Sequence, residues 1–270
     1  MRNSFLILWL LLFSAQICSA QILPGARQIA LSNSDIALSN DVFALFTNPA
    51  GTAQIKWREF GVYYSPSPFG MKELANGNAA YTEPFNFGSV SVGYKNYGFD
   101  LYKENTISLG FAAEISENLF GGITLNYHNI SIKNYGSAGA FIFDTGIIYK
   151  PIENIRFGLS ISNLNYASVS DSENQIPTVF RSGITYSLFN KCFLNLAVEK
   201  EIEFPISIRG GLEYPIIEFL SIRTGFKNEP ASYSVGIGIN YLYFKLDYSF
   251  FTHQDLGLTH QAGIIISFKS

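Results

Sequence analysis

Thr106-Ile107-Ser108-Leu109-Gly110-Phe111-Ala112-Ala113-Glu114 decides the fold. In an extended chain, Ile107, Leu109, Phe111 and Ala113 share one face, while Thr106, Ser108, Gly110 and Glu114 share the other. One face suits lipid and the other tolerates water. From about residue 87 to the C-terminus the same alternation recurs in segments of about ten residues separated by turn residues. A soluble β-sandwich alternates in the same way. Persistence of the pattern, with no helix long enough to cover a sheet, points instead to an all-β transmembrane antiparallel β-barrel.

The N-terminus reads as a secretory signal peptide. Met1-Arg2-Asn3-Ser4 is followed by an apolar run from Phe5 to Phe13 and by small residues leading to a cut after Ala20. That run is too short to cross a bilayer, and no later stretch supplies about 20 continuous apolar residues. Ala15-Gln16-Ile17 ahead of Cys18 does not suit lipidation, which leaves Cys192 as the one thiol of the mature chain. Charged residues make up 14% of the chain against about a quarter in soluble domains, while aromatics reach 16%. This balance suits a lipid-facing band with aromatic girdles. A net charge of −3 argues against a nucleic-acid partner.

Three segments follow: a signal peptide (1–20), a hatch or plug (21–56) and a barrel (57–270). Residues 22–56 lack strand alternation and are rich in Ala, Ser, Asn and Asp. Ser32–Ala37 and Asp41–Phe46 are each expected to form a helical turn, ended by Asn48-Pro49-Ala50-Gly51. The lumen of a wide barrel offers this segment a place as a plug. The barrel is read as about fourteen strands, running from Glu59–Ser65 through Ala140–Tyr149 and Val179–Leu188 to His260–Phe268.

The lipid-facing set includes Val90, Val92 and Tyr94, then Ile123, Leu125 and Tyr127, and Phe244, Leu246, Tyr248 and Phe250. The opposite faces carry Arg156, Arg181, Glu199, Arg209, Glu213, Arg223, Lys245 and Asp247. Charges belong inside, because Arg or Lys against mid-bilayer lipid costs about 2–4 kcal/mol. These wall charges, Arg209, Glu213 and Arg223 foremost, are expected to hold the plug, so that charge reversal at Arg209 loosens it.

No catalytic, cofactor or metal constellation emerges, and the chain is read as non-enzymatic. His128, His253 and His260 lack zinc-hydrolase spacing. Gly136-Ser137-Ala138-Gly139 lacks the spacing of a nucleophile elbow and is expected to be a turn. Gly121-Gly122 and Gly210-Gly211 lack a following Lys-Ser or Lys-Thr, and they mark bends or places where the plug nears the wall.

Gly25-Ala26-Arg27, Ala30 to Ser34, Asp41 to Ala44 and Asn48-Pro49-Ala50-Gly51 together resemble the N-terminal signature of FadL-like outer-membrane barrels, most closely those of the PorV/PorQ group associated with type IX secretion. Pro66-Ser67-Pro68-Phe69-Gly70-Met71-Lys72-Glu73-Leu74 is similar to a segment these proteins carry after their first strand. The motifs cover residues 25–83, and Leu31-Ser32-Asn33 stands where many relatives carry Gly-Gly. The resemblance implies a barrel of fourteen strands with an N-terminal hatch in a Gram-negative-type outer membrane. It also implies a role in protein secretion or surface-protein handling, with secreted or surface proteins as partners. The alternative it carries is passive transport of a hydrophobic small molecule, as in the fatty-acid transporters.

Overall fold

The computed structural model describes residues 24–169, 176–189 and 191–268. The signal-peptide segment, with Cys18, lies outside them, as do Lys269 and Ser270. Fourteen strands follow one another: β1 (Arg58–Ser65), β2 (Asn76–Phe85), β3 (Gly88–Phe99), β4 (Tyr102–Ser116), β5 (Leu119–Ile132), β6 (Gly136–Ile152) and β7 (Ile155–Ser162) form the first half. The second half is β8 (Val179–Leu188), β9 (Cys192–Glu201), β10 (Ser207–Ile217), β11 (Leu220–Asn228), β12 (Ala231–Tyr241), β13 (Phe244–His253) and β14 (Gly257–Phe268). Each pairs antiparallel with its sequence neighbours, and β1 closes on β14 through a register running from Arg58↔Phe268 to Tyr64↔Ala262. Closure leaves no unpaired sheet edge, which is what allows strands to cross lipid.

Side-chain alternation decides which face meets lipid. Ile107 is 60% exposed while its neighbour Thr106 is 6% exposed. The same contrast separates Val92, Ile123, Leu159, Ile237 and Leu246 outside from Ser91, Thr124, Ser160, Gly236 and Asp247 inside. An apolar surface this extensive belongs in a bilayer rather than in water. Even-numbered antiparallel strands, with short turns at residues 86–87, 117–118 and 242–243 at one end, are the architecture of an outer-membrane barrel. The longest connections, 66–75 and 163–178, lie at the other end, termed the loop end.

Residues 24–56 fill the lumen. Helix α1 (Ala26–Ala30) is followed by 3₁₀ turns at Val42–Phe46 and Pro49–Gln54. The Asp41 carboxylate accepts the Phe43 N–H at 3.0 Å, and the Asn48 side chain accepts the Ala50 N–H at 3.3 Å with Pro49 at the first turn position. Ser32–Ala37 is not a helical turn. Ser32 and Asn33 adopt left-handed φ values of 53° and 55°, and the Ser34 hydroxyl donates to the Leu31 carbonyl at 2.7 Å. Local polar bonding outcompetes helix there.

The plug packs an apolar face, Ile29, Val42, Phe43, Leu45 and Phe46, against Tyr63, Ala80 and Ile265 of the wall. Elsewhere the wall yields space by omitting side chains. A Cβ at Gly122 would lie 2.5 Å from Ala50 N and from the Pro49 carbonyl carbon. One at Gly158 would lie 2.5 Å from the Ile36 carbonyl oxygen, and one at Gly225 2.5 Å from the Leu31 carbonyl carbon. Plug backbone therefore seats directly on barrel backbone.

Gly136–Gly139 is not a turn. It opens β6, paired with Ile132 to Asn129, and the turn falls at residues 133–135 with Asn134 at φ 69°. β6 also runs on to Ile152, beyond the alternation read between Ala140 and Tyr149.

Candidate functional site

The plug is tied to the wall by a buried chain of charges. Arg27 on α1 donates to Glu213 on β10 at 2.9 Å, to Asp41 at 3.2 Å and to Asn40 at 2.7 Å. Glu213 also meets Arg223 on β11 at 3.2 Å, and Arg223 donates to Asp247 on β13 at 2.5 Å. Burial works against the charged Arg27 guanidinium, but Glu213 and Asp41 outweigh it and its pKa rises. A second anchor is Glu59 on β1, which accepts the Val42 N–H at 3.2 Å, the Lys245 ammonium at 2.7 Å and the Ser267 hydroxyl at 3.0 Å. Ser234 on β12 completes the set, lying 2.7 Å from the Ser32 hydroxyl and donating to the Ala30 carbonyl at 3.0 Å.

The residues singled out in the sequence divide between these contacts. Asn48 is fully buried, and its amide donates to the Ile36 carbonyl at 2.9 Å and to the Ile147 carbonyl of β6 at 3.3 Å. Pro49, Ala50 and Gly51 are buried beside it, with Ala50 packed on Phe120 and Ile148. Glu213 and Arg223 belong to the plug-holding chain. Arg209 does not: it donates to Glu199 and to Ser207, and Glu199 also accepts from Arg181 at 2.7 Å.

One carboxylate of the plug stands apart. Asp35 is 1% exposed and its Oδ2 has no hydrogen-bond partner. Burial pushes its pKa up to about 6, against the pull of Arg27.

Above the plug, toward the loop end, lies a cavity of about 710 Å³. Ile29, Asn33 and Phe46 of the plug form its floor. One wall is aromatic. Phe69, from the connection between β1 and β2, lies edge-on to Phe251 with ring centres 5.8 Å apart and to His253 at 5.5 Å. Phe69 holds a left-handed φ of 56°, an uncommon conformation for a bulky residue, and its N–H is bonded to the Thr259 hydroxyl at 2.9 Å. The loop is thereby folded inward over the lumen. The facing wall is polar, with Lys95, Glu104, His128, Asp144 and Arg181 among its residues. The Thr106 hydroxyl is 2.9 Å from His128 Nδ1, and Glu104 lies 3.7 Å from Nε2.

Of these cavity residues the sequence drew attention to the charged wall, to His128, to the plug segment and to the Pro-Ser-Pro-Phe-Gly irregularity. Asn76 and Phe251 carried no signal, because membership of the cavity depends on height along the barrel. Cys192 is half-buried and unpaired.

No protein-family model and no curated protein matches the sequence. Solved structures do. The CymD monoaromatic hydrocarbon channel superimposes with a TM-score of 0.70 at 11% identity, over 91% of this chain and 98% of that one. A Pseudomonas aeruginosa FadL homologue gives 0.62 at 12% identity, over 92% and 99%. The Pseudomonas putida toluene transporter TodX gives 0.64 at 9% identity, over 89% and 98%. At such identities the likeness is one of fold. The chain is a plugged, fourteen-strand outer-membrane barrel with the fold of these hydrocarbon channels.

Proposed function

We propose that this barrel passes hydrophobic small molecules inward across the outer membrane, the cavity over the plug being the place where they bind. The observation that carries the reading is the cavity itself: about 710 Å³, with an aromatic wall and a floor made by the plug. That volume lies within the range of about 300–1,000 Å³ usual for small-ligand sites. Apolar plug residues in the floor, Ile29 and Phe46, would meet an apolar body entering from the loop end. On this reading the plug closes the lumen below, a bound molecule leaves when the plug shifts, and the barrel is no open aqueous pore. The neighbours' printed substrates, toluene and monoaromatic hydrocarbons, support this class of ligand.

Secretion or surface-protein handling of PorV/PorQ type finds no comparable feature. Connections at 100–101, 133–135 and 229–230 are too brief to dock a protein, and of the longer ones 66–75 folds inward over the lumen. The test is entry of a neutral aromatic hydrocarbon into vesicles coated with lipopolysaccharide, with wild type and with Asn78→Trp. Asn78 is a buried wall residue that lines the cavity. The reading expects faster entry with wild type and loss of that gain in N78W, with heat-modifiable migration retained as evidence of folding. Equal entry for the two proteins would overturn it.

A further inference from the structure

We propose that the lipid-side face of β3–β6, at the loop end, binds the saccharide head group of an outer-leaflet glycolipid. The loop end is taken as the outward one, since short turns close the opposite end.

The register of the sheet carries the proposal. Strands β4, β5 and β6, with 15, 14 and 17 residues, are the longest among the described residues. On their lipid side, paired residues line up in rows across four strands. Tyr94, Ile107, Tyr127 and Phe141 form one such row, and all four are exposed members of the apolar belt. The next row toward the loop end is Asn96, Asn105, Asn129 and Gly139, and the row beyond it is Gly98, Lys103, Ser131 and Ser137. Apolar gives way to polar between adjacent rows, on four strands at once. A step of this kind marks the height at which lipid tails end and head groups begin, and tyrosine suits that boundary.

The polar rows are nearly uncharged. Lys103 is their one cation, and the Asp100 carboxylate lies 3.5 Å from its ammonium. A phosphate offers acceptors and calls for clustered cations, which these rows lack. A sugar hydroxyl both donates and accepts, and so do the amides and hydroxyls here. The Tyr94 hydroxyl donates to Asn105 Oδ1 at 2.7 Å and Asn96 Nδ2 donates to the same oxygen at 2.9 Å. Those bonds orient the Asn105 amide and leave its Nδ2 to donate outward. Asn129 Nδ2 donates to the Ala138 carbonyl at 3.1 Å, which leaves its Oδ1 to accept. Donors and acceptors thus stand side by side on one face.

Gly139 shapes this surface. A Cβ there would lie 2.6 Å from the Tyr127 hydroxyl. With no side chain in the way, the Tyr127 ring reaches up into the asparagine row, 5.1 Å from the Phe141 ring centre. The C–H face of a sugar ring can pack on these aromatics while its hydroxyls meet the amides. Tails lying along Ile107, Leu109 and Leu125 would bring the sugars of a glycolipid to this height, and that continuity with the lipid-facing belt selects a membrane glycolipid over a free sugar.

The test is native mass spectrometry of the purified full chain in detergent with three probes: rough-type lipopolysaccharide, the same glycolipid stripped of phosphate, and phosphatidylglycerol. Both glycolipid forms should be retained about tenfold more tightly than phosphatidylglycerol, the order expected of one or two net hydrogen bonds. Asn105→Leu with Asn129→Leu carries the apolar belt one row higher and should narrow that ratio several-fold, with heat-modifiable migration retained as evidence of folding. Tyr127→Leu, which keeps the belt apolar but removes the ring, should narrow it as well. Lys103→Gln should not change it. Equal retention of phosphatidylglycerol, loss of the glycolipid once its phosphates are removed, or an unchanged ratio in the folded variants of the two rows would each overturn the proposal.

Discussion

At the scale of single residues, the plug is held by few contacts of high consequence. Glu213 faces both Arg27 and Arg223, so Glu213→Gln leaves two buried guanidinium groups short of a counter-charge. Asp41 remains for Arg27 and Asp247 for Arg223, so the cost falls below the roughly 3–5 kcal/mol of a buried pair left wholly without a partner. The expected outcome is a loosened plug, read as a rise in ion conductance across planar bilayers. Charge reversal at Arg209 should leave conductance near the wild-type level, because its partners are Glu199 and Ser207. Sequence alone placed Arg209, Glu213 and Arg223 on the inner wall but could not rank them, since the ranking depends on which wall height meets Arg27.

Asp35 gives a pH dependence of defined sign. Its carboxyl has an ordinary value of 3.8 and a folded value of about 6. Below about pH 4 it is protonated whether folded or unfolded, and burial then carries no ionic penalty. Between these values the unfolded chain increasingly favours ionisation, and above about pH 6 the full penalty of roughly 3 kcal/mol applies. The wild-type protein should therefore lose stability as pH rises from 4 to above 6. Asp35→Asn should recover most of that loss at pH 8 and change little at pH 4, as measured by the temperature at which heat-modifiable migration is lost. A flat difference between the two proteins across this range would count against an ionised, unpaired Asp35.

At the scale of elements, alternation disclosed the strands because each has one face in lipid. Where that contrast fades, the boundaries moved. Gly136-Ser137-Ala138-Gly139 has no apolar face, yet it pairs with β5 because the backbone ladder continues beyond the lipid-facing stretch. The plug was recognisable from what it lacked, and Asn48-Pro49 marked a turn start that the structure caps as those residues favour. Ser32–Ala37 was misread because a polar run suits left-handed turns as readily as a helix start.

The inward glycines had a clearer meaning. Gly122 and Gly211 lie against the plug, at Pro49–Ala50 and at Leu31–Ser34, while their neighbours Gly121 and Gly210 face Ile115 and Phe226. Gly122→Val should displace the second 3₁₀ turn and raise conductance. Gly210→Ala meets only an aromatic side chain and should leave conductance unchanged. Planar-bilayer recordings of the two variants separate plug seating from wall integrity.

At the scale of the whole molecule, closure into fourteen strands followed from the count of alternating segments and from an exposed apolar belt. The cavity did not. It forms where one connection folds inward on a left-handed Phe69 and where the plug stops short of the loop end, neither of which leaves a periodic trace. The account makes the plug both the floor of the binding site and the barrier to passage. Ser32→Cys with Ser234→Cys, in a Cys192→Ala background, tests this most directly, because the two native hydroxyls lie 2.7 Å apart across the plug and wall. Entry of a neutral aromatic hydrocarbon into lipopolysaccharide-coated vesicles should stop when this pair is oxidised and resume on reduction. Undiminished entry with the plug cross-linked to β12 would contradict the account.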